Sequence, residues 1–179
     1  MIPDEHTIVD LWNAYDLPLS KRNHSKLVAR VALFFATRVS DAISVSIDTA
    51  LLYAGAMLHD IDKNIKKAKD EHHPDTGVRV LCEKGFGEVA DLIKMHSLPS
   101  ILNQTMALKT WEEKILFLSD KMVKHEIITV DERFRLWRKE DLPQDTVIML
   151  DAAFPLVKKL EKEVVDIIGI TAKDVANLA

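Results

Sequence analysis

Imidazoles and carboxylates stand at several places in this 179-residue chain where an apolar side chain would be the ordinary choice. His24 falls on one helical face with Leu27, Val28, Val31 and Phe35. The pair His59-Asp60 ends the most hydrophobic segment of the chain, which runs through Ala50, Leu51, Leu52, Ala54 and Met57. His96 ends a second apolar segment carrying Val89, Leu92 and Ile93. Asp120 follows Leu116, Phe117 and Leu118, on or beside a core-facing stripe. A carboxylate held out of water is costly unless it is paired or bound to a metal, and few basic residues lie near these stripes to pair with them all. Convergence on a divalent cation would remove the cost. Imidazole with carboxylate suits zinc, iron, manganese or nickel, and carboxylates also suit magnesium. Adjacent residues on a regular helix diverge by about 100°. His59 and Asp60 therefore share a site if the helix ends there, or if Asp60 bridges two ions. His24 and Asp120 must then arrive from separate helices, as ligands do inside helical bundles.

The elements that carry these residues are expected to be helices. Glycine (5) and proline (6) are scarce, too few for the turns of a sheet protein of this size. With 47% apolar residues the chain can build a core without cross-links, and its lone Cys82 excludes an internal disulfide, which fits a reducing compartment. A net charge of −4 argues against non-specific nucleic-acid binding but leaves room for a small phosphorylated ligand, which needs only a local basic cluster. Residues 1–10 carry Asp4, Glu5 and His6 and do not read as a secretory leader. No apolar run approaches the roughly 18 residues of a membrane span. The expectation is a soluble cytoplasmic protein with no membrane partner.

About eight helices are expected in one domain over 1–179. They include His24–Phe35, Ser46 or Ile47 to His59, a helix opened by Pro74 and closed by Gly85, and Glu88–His96. Thr110-Trp-Glu-Glu113 and Thr129-Val-Asp-Glu132 have capping-box spacing. A long helix from Thr146 to Ile168 contains Pro155 and stops at Gly169, and Thr171 caps a last short one. The small Gly55 and Ala56 allow a neighbour to approach closely one turn before His59. Ile43–Ile47 alternates briefly but reads as the start of a helix. Asp62–Asp70 reads as a polar, lysine-rich loop, and Trp111 and Trp137 as core or interface residues.

The order His24, His59-Asp60, Asp120 resembles the H…HD…D signature of the HD-domain superfamily. Ala56-Met-Leu-His59-Asp60-Ile-Asp-Lys63 resembles its "LLHDIGK" segment, with Asp62 in place of the usual glycine. His73-Pro-Asp-Thr-Gly77 resembles the "HPxxG" element of the HDIG subgroup, and Ile93-Lys-Met-His96 its "I..H" element. Leu116-Phe-Leu-Ser-Asp120-Lys121 is similar to "YLADK", and Asp131-Glu-Arg-Phe134 to the "LEERF" stretch of bacterial stand-alone members. The resemblance spans residues 20–138, the expected core, with 139–179 left as C-terminal helices that pack on it or form a dimer surface.

The resemblance implies an all-helical fold with a buried metal centre. Members with two extra histidines hold two ions bridged by the HD aspartate, which here implies His73 and His96 as further ligands and Asp60 as the bridge. The implied activity is metal-dependent hydrolysis of a nucleotide or other small phosphate ester by metal-activated water. Asp60 and Lys63 are the catalytic candidates, and Lys63, Lys121 and Arg133 the candidate phosphate contacts. Some relatives with the same six ligands are mixed-valent di-iron oxygenases, and a non-catalytic ligand-binding domain is a third reading. Simpler roles exist for each residue: pairing of Asp120 with Lys124, helix capping by His96, and His72 in place of His73. The Cβ of Asp62 restricts positive φ after the HD pair.

Overall fold

The protein was analysed as a computed structural model, which describes residues 1–103 and 107–178. Among the described residues the fold is all-α, with nine α-helices, two 3₁₀ turns and only an isolated bridge between Val123 and Ile127. The helices are α1 (Glu5–Ala14), α2 (Leu19–Ile43), α3 (Thr49–Leu58), α4 (Asp75–Glu83), α5 (Gly87–Lys94), α6 (Trp111–Lys121), α7 (Val130–Trp137), α8 (Gln144–Ile168) and α9 (Ala172–Ala176). The 3₁₀ turns are Ile61–Asn64 and Leu98–Leu102. No helix among the described residues is long and apolar enough to cross a membrane.

The helix beyond the expected count is α1. Its signals are short but regular: Asp4 accepts a hydrogen bond from the Thr7 N–H, and Ile8, Leu11 and Trp12 face the core. The Trp12 indole then donates to the Met57 carbonyl at 3.0 Å, tying α1 to the end of α3. The segment Ile43–Ile47 is a correction. Ile43 is the last residue of α2, and Ser44 ends that helix in the left-handed region with φ 54°. The next helix waits for Asp48, whose carboxylate accepts from the Leu51 N–H at 2.9 Å, a cap that Ser44 and Ser46 do not provide. The loop expected over Asp62–Asp70 is also shorter, because Ile61 and Asp62 are buried in a 3₁₀ turn.

Helix α2 packs against α3, α6 and α8, and α3 lies against α5 as well. Trp12, Phe35, Phe117 and Phe134 are among the largest fully buried side chains. Close approach at the end of α3 depends on Gly55. A Cβ there would lie 2.6 Å from Leu92 Cδ2 on α5 and 3.5 Å from Leu116 Cδ2 on α6. The same three helices carry or adjoin His59, His96 and Asp120, so this contact sets the width of the site. Helix α8 continues through Pro155, ends at Gly169 with φ 70°, and lies against α2, α6 and α7. Buried Glu161 on α8 accepts from the Val130 N–H at 3.3 Å, and Lys158 pairs with both Asp131 and Glu161. These bonds fix the start of α7. Gly55→Val is expected to lower the unfolding free energy by about 1–3 kcal/mol through overpacking against Leu92, measured by urea denaturation. An unchanged midpoint would show that α5 yields freely.

Candidate metal centre

Six side chains meet where these helices end. His24 comes from the second turn of α2 and Asp120 from the last turn of α6. His59 closes α3 with helical angles, and Asp60 then turns to φ −103°, ψ 17° and opens the 3₁₀ turn. The helix therefore ends at the pair, and the change in backbone direction lets both side chains face one point. His96 follows α5, and His73 is delivered by the loop before α4. Their donor atoms form three overlapping groups, each within 4.8 Å: His24, His59 and Asp60; His59, His96 and Asp120; Asp60, His73 and His96. Asp60 belongs to two of them. Its Oδ2 lies 3.9 Å from His59 Nε2 and its Oδ1 3.5 Å from His73 Nε2, so one carboxylate oxygen faces each side.

The four histidines are anchored alike. His59 Nδ1 donates to the Ala56 carbonyl at 2.7 Å, and His96 Nδ1 to the Ile93 carbonyl at 2.5 Å. His73 Nδ1 lies 2.8 Å from Asp62 Oδ1, and His24 Nδ1 lies 3.3 Å from the Lys124 carbonyl. A ring nitrogen that meets only an acceptor must carry the proton, so His59, His73 and His96 are each left with an Nε2 lone pair directed inward. His24 Nε2 instead faces a second acceptor, Asp120 Oδ1, at 3.0 Å. His96 thus ends its helix and faces the cluster with the same ring. His73 Nε2 and His96 Nε2 lie 2.9 Å apart. Two lone pairs do not rest at that distance without a proton or a cation between them. Two nitrogens ~2.1 Å from one ion at a right angle would be about 3 Å apart. His59 Nε2 is buried without a hydrogen-bond partner, and Asp120 Oδ1, 3.5 Å away, is beyond good bonding distance. The donor set fits one or two divalent cations on both counts.

The electrostatics favour positive charge. Burial works against ionisation of Asp60, but His59, Lys63 and Lys21 outweigh it and hold the carboxyl below its ordinary range. Asp120 likewise ionises easily despite burial, chiefly because of Lys121, His24 and His59. Burial lowers His59, yet Asp60 and Asp120 reverse that and raise it, while burial together with His59 drives His96 well down. The side of His59 that faces the carboxylates attracts a cation, and the histidine-rich side keeps a free lone pair.

Basic residues are closer than the sequence suggests. Lys21 Nζ lies 3.0 Å from Asp60 Oδ2, and Lys63 Nζ 3.3 Å from Oδ1. Lys121 borders the pocket, but its Nζ is spent on the His96 carbonyl at 2.7 Å and Asp120 Oδ2 at 2.5 Å. It anchors Asp120 and the His96 backbone instead of standing free in the pocket. Lys124 pairs with Glu140 at 2.6 Å and not with Asp120. Arg133 lines the pocket with Trp137, which is a pocket wall as well as a packing residue. Sequence reasoning passed over Lys21, although it lies one turn before His24. It also missed the use of Asp62, whose carboxylate orients His73. Asp62 sits in the 3₁₀ turn and takes no positive φ, so its Cβ is no obstacle.

The loop that brings His73 has its own clamp. Arg79 Nε donates to Glu71 Oε1 at 2.6 Å, and Thr76 Oγ1 and the Ala68 N–H donate to Oε2 at 2.8 and 2.9 Å. The Arg79 guanidinium, with these donors, brings the Glu71 carboxyl down to about 2. A depressed carboxyl stabilises the fold above its ordinary pKa, and this clamp is lost only as pH falls towards 2. Arg79→Ala is expected to speed tryptic cleavage at the exposed Lys66, Lys67 and Lys69 several-fold with little change in helical circular dichroism. Equal cleavage rates would show that the loop holds itself.

No curated protein and no solved structure matches the chain. The family described as HD domain matches residues 22–125, more than half of the sequence and a span that includes all six clustered residues. With the all-α fold and the His/Asp cluster at the helix ends, this match places the chain in the HD domain family.

Proposed function

We propose that this protein is a metal-dependent phosphohydrolase acting on a nucleotide or other small phosphate ester, with His24, His59, Asp60, His73, His96 and Asp120 as ligands of two divalent ions bridged by Asp60. Manganese, iron, zinc, nickel and magnesium all suit such donors. The observation that carries the reading is Asp60, buried between two donor groups with one oxygen towards each, in a pocket of about 340 Å³ rimmed by Lys21, Lys63 and Arg133. Cations around a carboxylate-and-imidazole cluster suit an anionic substrate. An oxygenase working on a neutral substrate would not need them.

Ions held there supply water of lowered pKa and positive charge against the charge that develops on the phosphoryl group. The chain's own residues do the rest. The Nδ1 anchors fix the imidazoles, so little reorganisation is needed during reaction. Lys63 and Lys21, both beside Asp60, take the phosphoryl oxygens that face away from the ligands. Arg133, at the pocket's edge, offers a planar guanidinium to anionic oxygens of the substrate beyond the group at the ions. Lys121 holds Asp120 and the His96 carbonyl from behind. Leu98, Pro99 and Trp137 wall the pocket and limit water.

With manganese, release of phosphate from a panel of phosphate esters is expected. Asp60→Ala should lower it beyond the roughly 10–100-fold that loss of an outer-shell partner costs, and Asp62→Ala should fall within that range. Metal counting by mass spectrometry should find two ions in the wild type and one after His73→Ala. No turnover with any ester under several metals, or oxygen consumption by iron-loaded protein instead, would overturn the reading.

A further inference from the structure

A second pocket of about 290 Å³ adjoins the one at the donor cluster. Lys21, His24, Arg133 and Trp137 border both, so the two are ends of one cleft. The far end adds Ser20, Lys124, His125 and Glu140. The phosphoryl chemistry proposed above uses only the near end.

Arg133 stands at the junction. Its guanidinium carbon lies 4.2 Å from the Trp137 ring centroid, and its Nε is buried without a hydrogen-bond partner among the described residues. The aromatic face holds the cation in place but accepts none of its in-plane hydrogen bonds. A buried, unanswered guanidinium N–H calls for an anionic oxygen. Lys124 also lines the far end. Its partner is Glu140, and with side chains 27% and 46% exposed that pair contributes little to hold it. Lys124 can therefore turn to a ligand at small cost. Besides Lys21, which is paired with Asp60, the far end presents Arg133 and Lys124 against the single carboxylate of Glu140.

We propose that the far end of the cleft binds a second phosphoryl group of the same substrate, clamped by Arg133 and Lys124, so that the protein selects molecules with two phosphoryl groups over simple monophosphates. This rests on the hydrolase reading for the near end. Trp137 is then a positioning residue that acts through Arg133.

The test is calorimetry on the full chain loaded with excess manganese. Methylphosphonate is compared with a series of bisphosphonates whose two groups are joined by one to four carbons. At least one bisphosphonate is expected to bind about tenfold tighter than methylphosphonate. Arg133→Ala and Lys124→Ala should each pull that affinity ratio towards one, with metal content by mass spectrometry unchanged. Lys124 is a surface side chain, so its removal keeps the test intact even if Arg133→Ala folds poorly. No gain at any length overturns the proposal. A gain that survives both substitutions also does, since it would come from the ions alone. Loss of all phosphonate binding by the loaded wild-type protein would overturn the hydrolase reading with it.

Discussion

A carboxylate packed at the end of an apolar helix needs positive charge beside it, and the structure around Asp60 is organised by that need. Asp60 is almost wholly buried, yet four groups that carry or accept positive charge crowd it: Lys21, Lys63, His59 and His73. Burial alone would neutralise it; these neighbours keep it ionised. The proposed metal site draws on the carboxylates so kept ionised, because the negative charge of Asp60 and Asp120 that raises His59 also attracts cations.

Holding such a site requires backbone order around it. Each imidazole is turned by a bond at its outer nitrogen, and three of those bonds go to main-chain carbonyls. Ala56 and Ile93 each lie three residues before the histidine they orient, so helix termination and ring orientation are one event. The separation of the helix ends depends in turn on Gly55, whose missing Cβ lets α5 and α6 close on α3. Helix α8 contributes at a distance by bonding the start of α7, the helix that carries Arg133 and Trp137.

The two sides of the cluster are built unequally. His59 is fully enclosed, whereas the His73 side chain is 24% exposed and arrives on a loop held by Glu71 and Arg79. A ligand on a clamped loop is freer to move than one on a helix. The side of the cluster containing His73 is therefore its more open side.

Much was legible in the sequence because polar residues on apolar stripes are conspicuous. His24, His59, Asp60, His96 and Asp120 were marked by their positions in a 3.6-residue pattern, and the all-α fold by that pattern with few turn residues. His73 had no such mark and was reached through its resemblance to a motif, since a loop histidine beside a second one has no periodicity to betray it. The capping box at Thr110 formed as read and Thr171 caps its short helix, whereas at Thr129 only the side-chain half of the box forms, because the Glu132 carboxylate turns to Arg135. The helix α1 was missed because three apolar positions make a faint pattern, and Ile43–Ile47 was misplaced because a capping aspartate outranked two serines. Only the tertiary structure decided which nitrogen of each histidine faces inward, that Asp62 orients His73, that Lys21 reaches Asp60 while Lys121 turns to Asp120 and the His96 carbonyl, and that Arg133 and Trp137 border both ends of one cleft. Those facts depend on the distances between separate helices. A sequence fixes the face each residue occupies on its own helix, but the meeting of faces is set by packing among helices far apart in the chain.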